Sequence, residues 1–195
     1  MELTEEILQE KGITFTDKAS FDLAEKEHQE KSRTASAGLF KGGLADTSEM
    51  STKYHTATHL LLAGLRSVLG DSVTQKGSNI TPERLRFDFP ADQKLTEEQV
   101  KAVEDFVNDK IQQQLPVSFV EIPKEEALKK ATYAAFSEKY PDIVKLYSIG
   151  EEGKEASIEI CNGPHVENTK ELGHFKIVKQ ESVGAGIKRI KAILE

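Results

Sequence analysis

The chain has 195 residues, of which 37% are hydrophobic and 30% charged, and a formal net charge of −7. Such a balance suits one globular domain with room for a helical appendage, and it argues against broad electrostatic adhesion to nucleic acid while leaving open a grip on the end of one RNA. No apolar run approaches the about 20 residues of a membrane span, no signal-peptide pattern opens the chain, and a single cysteine excludes an internal disulfide, which fits a reducing, cytoplasmic setting.

Residues 2–11 and 18–36 read as two polar helices. The first has Leu3, Ile7 and Leu8 at helical spacing with Gly12 as a stop, and the second has a thin stripe of Phe21, Leu23 and Ala24. A Gly/Ser/Ala-rich joint follows from Ser36 to Leu44, and its Gly42-Gly43 pair can serve as a linker or line a site. His55-Thr-Ala-Thr-His59 then opens a helical run that reaches Leu69, and the i, i+4 spacing puts both imidazoles on one face. Val73–Asn79 and Arg84–Phe89 read as strands; in the second, Leu85, Phe87 and Phe89 alternate with Arg86 and Asp88. Thr96 and Gln99 form a capping-box signature for a long helix carrying Val100, Val103, Val107 and Ile111 on one face.

Pro116 ends that helix and leads into a strand at Val117–Ile122, followed by a short helix at Lys124–Lys130. Strands are expected at Val144–Ile149 and Ser157–Ile160, the latter delivering Cys161, and then at Phe175–Glu181 and Gly186–Leu194. The pattern is α+β: an antiparallel-rich sheet packed with two long helices, preceded by an N-terminal helical linker. It divides into a linker and Gly-rich joint over 1–49 and a domain over 50–195. Lys176, Lys179, Lys188, Arg189 and Lys191 crowd the C-terminal strands, either as a solvated strand pair or as a phosphate-contacting edge.

The chemistry-bearing residues fall into two short pairs. His55 and His59 project from one helix; Cys161-Asn-Gly-Pro-His165 offers a thiolate and a third imidazole from a loop that can curl back on itself. Three nitrogens and one sulfur make a tetrahedral set that zinc prefers over magnesium or calcium. The spacing is not that of a zinc ribbon or finger, and Thr56 stands where a metalloprotease carries its glutamate, so a protease reading is poor.

Five motifs then occur in order: His-Thr-Ala-Thr-His-Leu-Leu at 55–61, Thr-Gln-Lys-Gly-Ser at 74–78, Leu-Arg-Phe-Asp-Phe at 85–89, Cys-Asn-Gly-Pro-His at 161–165, and Gly-Ala-Gly-Ile-Lys-Arg-Ile at 184–190. Together they closely resemble the editing domain of alanyl-tRNA synthetase, whose fold also occurs in threonyl-tRNA synthetase and in free-standing alanyl-tRNA editing proteins. The resemblance covers residues 50–195, and residues 2–36 look like the helical linker ahead of that domain. It implies removal of serine or glycine wrongly esterified to the alanine tRNA, with Zn2+ held by His55, His59, Cys161 and His165. It also implies that Gln75 contacts the substrate and that Thr58, or less favourably Thr56, bonds the seryl hydroxyl; a buried partner for that hydroxyl discriminates strongly against alanine.

The implied partner is the acceptor end of tRNA(Ala) carrying Ser or Gly, with no membrane, alongside the rest of an alanyl-tRNA synthetase. A free-standing trans-editing deacylase and a non-catalytic structural-zinc tRNA-binding module are the alternatives. The sequence departs from the family at Asn162 and Ser137, which stand at usual glycine positions, and in the short interval ahead of His55. Asparagine tolerates a left-handed backbone better than most residues, which would let the 161–165 loop keep its shape.

Overall fold

The computed structural model describes residue 44 and residues 46–134, 140–184 and 186–195. All of them belong to the second of the chain's two compact units, Lys41–Glu195. The helices expected at 2–11 and 18–36, the Gly42-Gly43 pair and Ser137 lie outside the described residues.

Helix α1 (Glu49–Leu69) begins six residues ahead of His55 because Ser48 caps it, accepting from the Ser51 N–H. Gly70, at φ 98°, closes it with an N–H bond to the Arg66 carbonyl. Tyr54, Ala57, Leu60, Leu61, Leu62 and Leu65 are all buried, so the helix is apolar around most of its circumference and lies inside the domain. Strand β1 (Gly77–Thr81) starts four residues later than the pattern at 73–79 suggests. The backbone before it is taken by other groups: the Val73 carbonyl accepts from Arg66, and the Gln75 N–H donates to the Tyr133 hydroxyl.

Strand β2 (Arg84–Pro90) pairs with β1, and its Leu85, Phe87 and Phe89 are fully buried, as the alternation requires. Helix α2 (Glu97–Gln112) carries both hydrogen bonds of the Thr96–Gln99 capping box and buries Val103, Val107 and Ile111. Next come strand β3 (Val117–Pro123), helix α3 (Lys124–Lys130), and strands β4 (Ile143–Ile149) and β5 (Ser157–Ile160). A 3-10 turn (Thr169–Leu172) leads into strands β6 (Phe175–Ser182) and β7 (Ile187–Leu194).

The fold is α+β, and its strands divide into two antiparallel sheets, β1-β2-β7-β6 and β3-β4-β5. The main core joins α1, α2 and the four-stranded sheet through Phe87, Phe89, Phe175, Ile190 and the α1 leucines. A second, smaller core lies on one face of the three-stranded sheet, where Val144, Leu146 and Ile160 meet Ala127 and Tyr140. The other face of that sheet carries Phe119, Tyr147 and Glu159, which lie opposite one another across the three strands. Among the described residues, no helix is long and apolar enough to cross a membrane.

The C-terminal basic residues are largely neutralised from within the sheet. Arg189 forms two 2.8 Å bonds to the Asp88 carboxylate, its cross-strand neighbour. Lys179 and Lys191 both pair with Glu181, while Lys188 is buried. These contacts favour a self-paired strand face over a free phosphate edge.

The two kinds of anchoring separate in size. Phe87→Ala should cost about 3–5 kcal/mol of unfolding free energy in urea, and Thr96→Ala about 1 kcal/mol. Equal losses would contradict the placement of Phe87 at the centre of the core.

Candidate metal centre

Helix α1 places His55 and His59 one turn apart, and both are buried in the domain interior. A buried imidazole requires partners for both ring nitrogens. Across from them, β5 ends at Ile160, and the next residue, Cys161, is buried with its N–H on the Lys145 carbonyl. The loop 161–165 then folds over the helix and presents His165.

Each imidazole is oriented through Nδ1. His55 Nδ1 lies 2.9 Å from the Pro164 carbonyl and donates to it. His59 Nδ1 lies 2.9 Å from Glu159 Oε1, and Glu159 in turn accepts from the Ser157 hydroxyl at 2.7 Å. His165 Nδ1 lies 3.1 Å from Thr56 Oγ1, which also accepts from the Val166 N–H and faces the Thr52 carbonyl. With the three Nδ1 atoms engaged, the three Nε2 atoms remain as donors. This carbonyl–carboxylate–hydroxyl set is the outer shell that fixes ligand orientation in metal sites.

The Nε2 atoms and the Cys161 sulfur converge. Sγ lies 3.3 Å from His55 Nε2, and the donor atoms of His55, His59, Cys161 and His165 all lie within 4.8 Å of one another. His55 and His165 stack at 4.2 Å, with His59 set edge-on to His165. The group can hold a metal ion. The clearest sign is His165 Nε2, which is buried without a hydrogen-bond partner. An orphaned buried nitrogen costs about 1–3 kcal/mol, and coordination to an ion would satisfy it.

Protonation follows the same geometry. Burial opposes ionisation of Cys161, but the charge of His55 and the imidazoles gathered around the sulfur outweigh it, so the thiol is held well below its ordinary value. Burial also works against a charged His59, yet Glu159 and Cys161 raise it to about 10. Burial drives His165 down to about 3, opposed by Cys161 and reinforced by the charges of His55 and His59. The same surroundings favour a thiolate at Cys161 and a neutral His165, the forms in which both can bind a metal.

Gly163 lets the loop approach this closely. A Cβ there would sit 2.6 Å from His55 Nδ1, so no larger residue fits without moving the ring. Asn162 does not need the left-handed backbone that asparagine tolerates; among described non-glycine residues only Gln114 has positive φ.

The remaining sequence candidates are placed as follows. Thr58 is buried and its hydroxyl donates to the Tyr54 carbonyl at 2.7 Å, while Thr56 is the threonine that touches His165. Gln75 Nε2 donates to Ser78 Oγ at 3.0 Å, and its backbone is tied to Tyr133, which bridges to Glu159. A cleft of about 530 Å³ reaches Glu159 between Arg66, Phe106, Lys110 and Tyr133, and none of the four metal donors lines it.

Glu159 and Thr56 were not recognised as orienting groups in the sequence. The signal for Glu159 was available: it precedes Cys161 by two residues on a strand and so shares its face.

Three histidines and one cysteine thus gather between a central helix and a strand-end loop, and residues 144–191 match the family described as threonyl and alanyl tRNA synthetase second additional domain. That match and the relatives below bear out the resemblance that the motifs carry. It is 54% identical over 195 residues to the alanine–tRNA ligase of Treponema denticola, covering 100% of this chain and 32% of that protein. It is 51% identical over 193 residues to the alanine–tRNA ligase of Borrelia hermsii, covering 99% of the chain and 32% of the relative. A 141-residue stretch is 48% identical to the alanine–tRNA ligase of Caldicellulosiruptor saccharolyticus, covering 72% of the chain and 16% of the relative. The chain thus spans about a third of the length of the relatives that it matches throughout.

Gly163→Ala should abolish retention of zinc after dialysis, measured by elemental analysis, because the methyl group displaces His55. Full retention in a folded variant would contradict the close packing of loop and ring.

Proposed function

We propose that this domain hydrolyses the aminoacyl ester of tRNA(Ala) mischarged with serine or glycine, with the aid of zinc, as the editing part of an alanine–tRNA ligase in the cytoplasm. The observation that carries the reading is the converging donor set with its orphaned His165 Nε2, in a chain about half identical to alanine–tRNA ligases. In this reading residues 1–49 are the linker and joint, and residues 50–195 are the editing domain.

His55, His59, Cys161 and His165 hold the ion. Three nitrogens and a thiolate favour zinc, whereas magnesium and calcium select oxygen. Held by all four side chains, zinc would position the 161–165 loop or a substrate group; held by three, it would keep an open position and supply Lewis acidity or an activated water. Water adds to the carbonyl carbon, the ester C–O bond breaks, and the leaving ribose oxygen takes a proton. The ester is already activated, so placement and oxyanion stabilisation carry most of the barrier reduction. No carboxylate or histidine of the cluster is free to act as a base, and a vicinal ribose hydroxyl of the substrate fills that role.

Gln75 and Thr58 contact the aminoacyl group. The Thr58 hydrogen is committed to the Tyr54 carbonyl, so its oxygen is left as an acceptor, suited to a seryl O–H. An alanyl methyl group has no such donor. Thr56 acts indirectly by holding His165.

A second reading is favoured by one observation: four donors make a closed shell, the arrangement of structural zinc. In that case the ion fixes the 161–165 loop and the domain only binds RNA. Incubation with seryl-tRNA(Ala) separates the two, since only the deacylase releases serine.

Cys161→Ala should abolish serine release from Ser-tRNA(Ala), and Thr56→Val should weaken zinc affinity by about 10- to 100-fold. An unchanged rate in Cys161→Ala would overturn the zinc-dependent reading.

A further inference from the structure

Strand register places a row of unassigned side chains beside the metal centre. In the three-stranded sheet, Glu159 pairs with Tyr147, and Tyr147 pairs with Phe119. Side chains directly opposite one another share a face. The face that carries Glu159 and, two residues on, Cys161 therefore also carries Tyr147, Lys145 and Phe119. The second core occupies the opposite face, so nothing in the packing of α3 requires these aromatics.

The rings form a continuous path. Tyr147 lies 4.3 Å from the His165 ring between centroids, and Phe119 lies 5.1 Å from Tyr147. Lys145 Nζ sits over the Phe119 ring at 4.5 Å. Phe119 is 46% exposed, so much of its ring is open to solvent at the outer end of this path. Glu121, which pairs with Lys145, is also exposed and bounds the row on that side.

We propose that Phe119, Tyr147 and Lys145 form a stacking platform for an unpaired nucleobase and its phosphate, receiving the single-stranded 3′ end of the RNA whose terminal ester reaches the metal centre. The inference rests on the function proposed above. Its chemistry is that of single-strand binding: aromatic faces take bases of any identity, and a lysine beside them meets the backbone charge. The charge fits as well. The chain is acidic as a whole, with a net charge of −7, so a local cation set on an aromatic ring beside the site marks where a phosphate is tolerated. The platform starts at a ligand ring and runs outward, so a strand lying on it delivers its last ribose towards the four donors.

The test measures binding of the full chain to a short single-stranded RNA ending in CCA, and to the same backbone with abasic residues in its last three positions, by fluorescence anisotropy. Phe119→Ala and Phe119→Leu should weaken binding of the base-bearing RNA about tenfold and leave the abasic RNA unaffected. Phe119→Trp should restore it. Lys145→Gln should flatten the salt dependence of log affinity by about 0.7 for a single strand. Equal affinity of wild type and Phe119→Ala for the base-bearing RNA overturns the platform, as does a Phe119→Ala effect confined to melting temperature or self-association.

Serine release by the wild-type chain keeps the two ideas apart. Release with no effect of Phe119→Ala on RNA affinity removes the platform and leaves the deacylase. Base-dependent binding without release removes the deacylase and leaves the platform.

Discussion

Three imidazoles and a thiolate share one buried point between helix α1 and the loop after β5, and the local fold is arranged to make that tolerable. Burying such groups without partners carries a desolvation cost of several kcal/mol. The chain offsets it from outside the cluster, by giving each Nδ1 its own partner: the Pro164 carbonyl, the Glu159 carboxylate and the Thr56 hydroxyl. What remains inside is the converging set of Nε2 atoms and the Cys161 sulfur, with His165 Nε2 left without a hydrogen bond. The centre is thus prepared for a cation by its surroundings more than by its ligands.

That requirement explains features of the fold that packing alone does not. Helix α1 is central, so its two histidines are held in a rigid frame surrounded by leucines. Strand β5 is short and ends at the site, and its alternation sends Glu159 and Cys161 to the same face. The loop that follows can close only because Gly163 has no side chain to meet His55. Thr56 joins the two halves: a helix residue that accepts from the loop's Val166 N–H and holds its terminal histidine. A rigid helix and a tightly wrapped loop together fix the donors with little freedom left to lose on binding an ion.

Much of this was legible in the sequence, for identifiable reasons. The two ligand pairs follow helical and loop spacing, and few histidines exist to produce them by accident. The capping box at Thr96 and the alternation of Leu85, Phe87 and Phe89 are local signals, and local signals survive folding intact. The division into two sheets was not legible, because strand order is set by contacts far apart in the chain. The start of β1 was misplaced for a related reason: the 73–76 backbone is claimed by the side chains of Arg66 and Tyr133 and by the Asp88 carbonyl. Thr56 and Glu159 were passed over as orienting groups, since their roles depend on which face of which element meets the other. For the C-terminal lysines and arginine the sequence left a solvated strand pair and a phosphate-contacting edge open, and the ion pairs with Asp88 and Glu181 favour the first.

The most direct measurement is X-ray absorption at the zinc edge on the loaded chain. The account predicts one sulfur at about 2.3 Å and nitrogen neighbours at about 2.0–2.1 Å, with the sulfur lost in Cys161→Ala. A shell of light atoms alone in the wild-type chain, or failure to retain zinc, would contradict it.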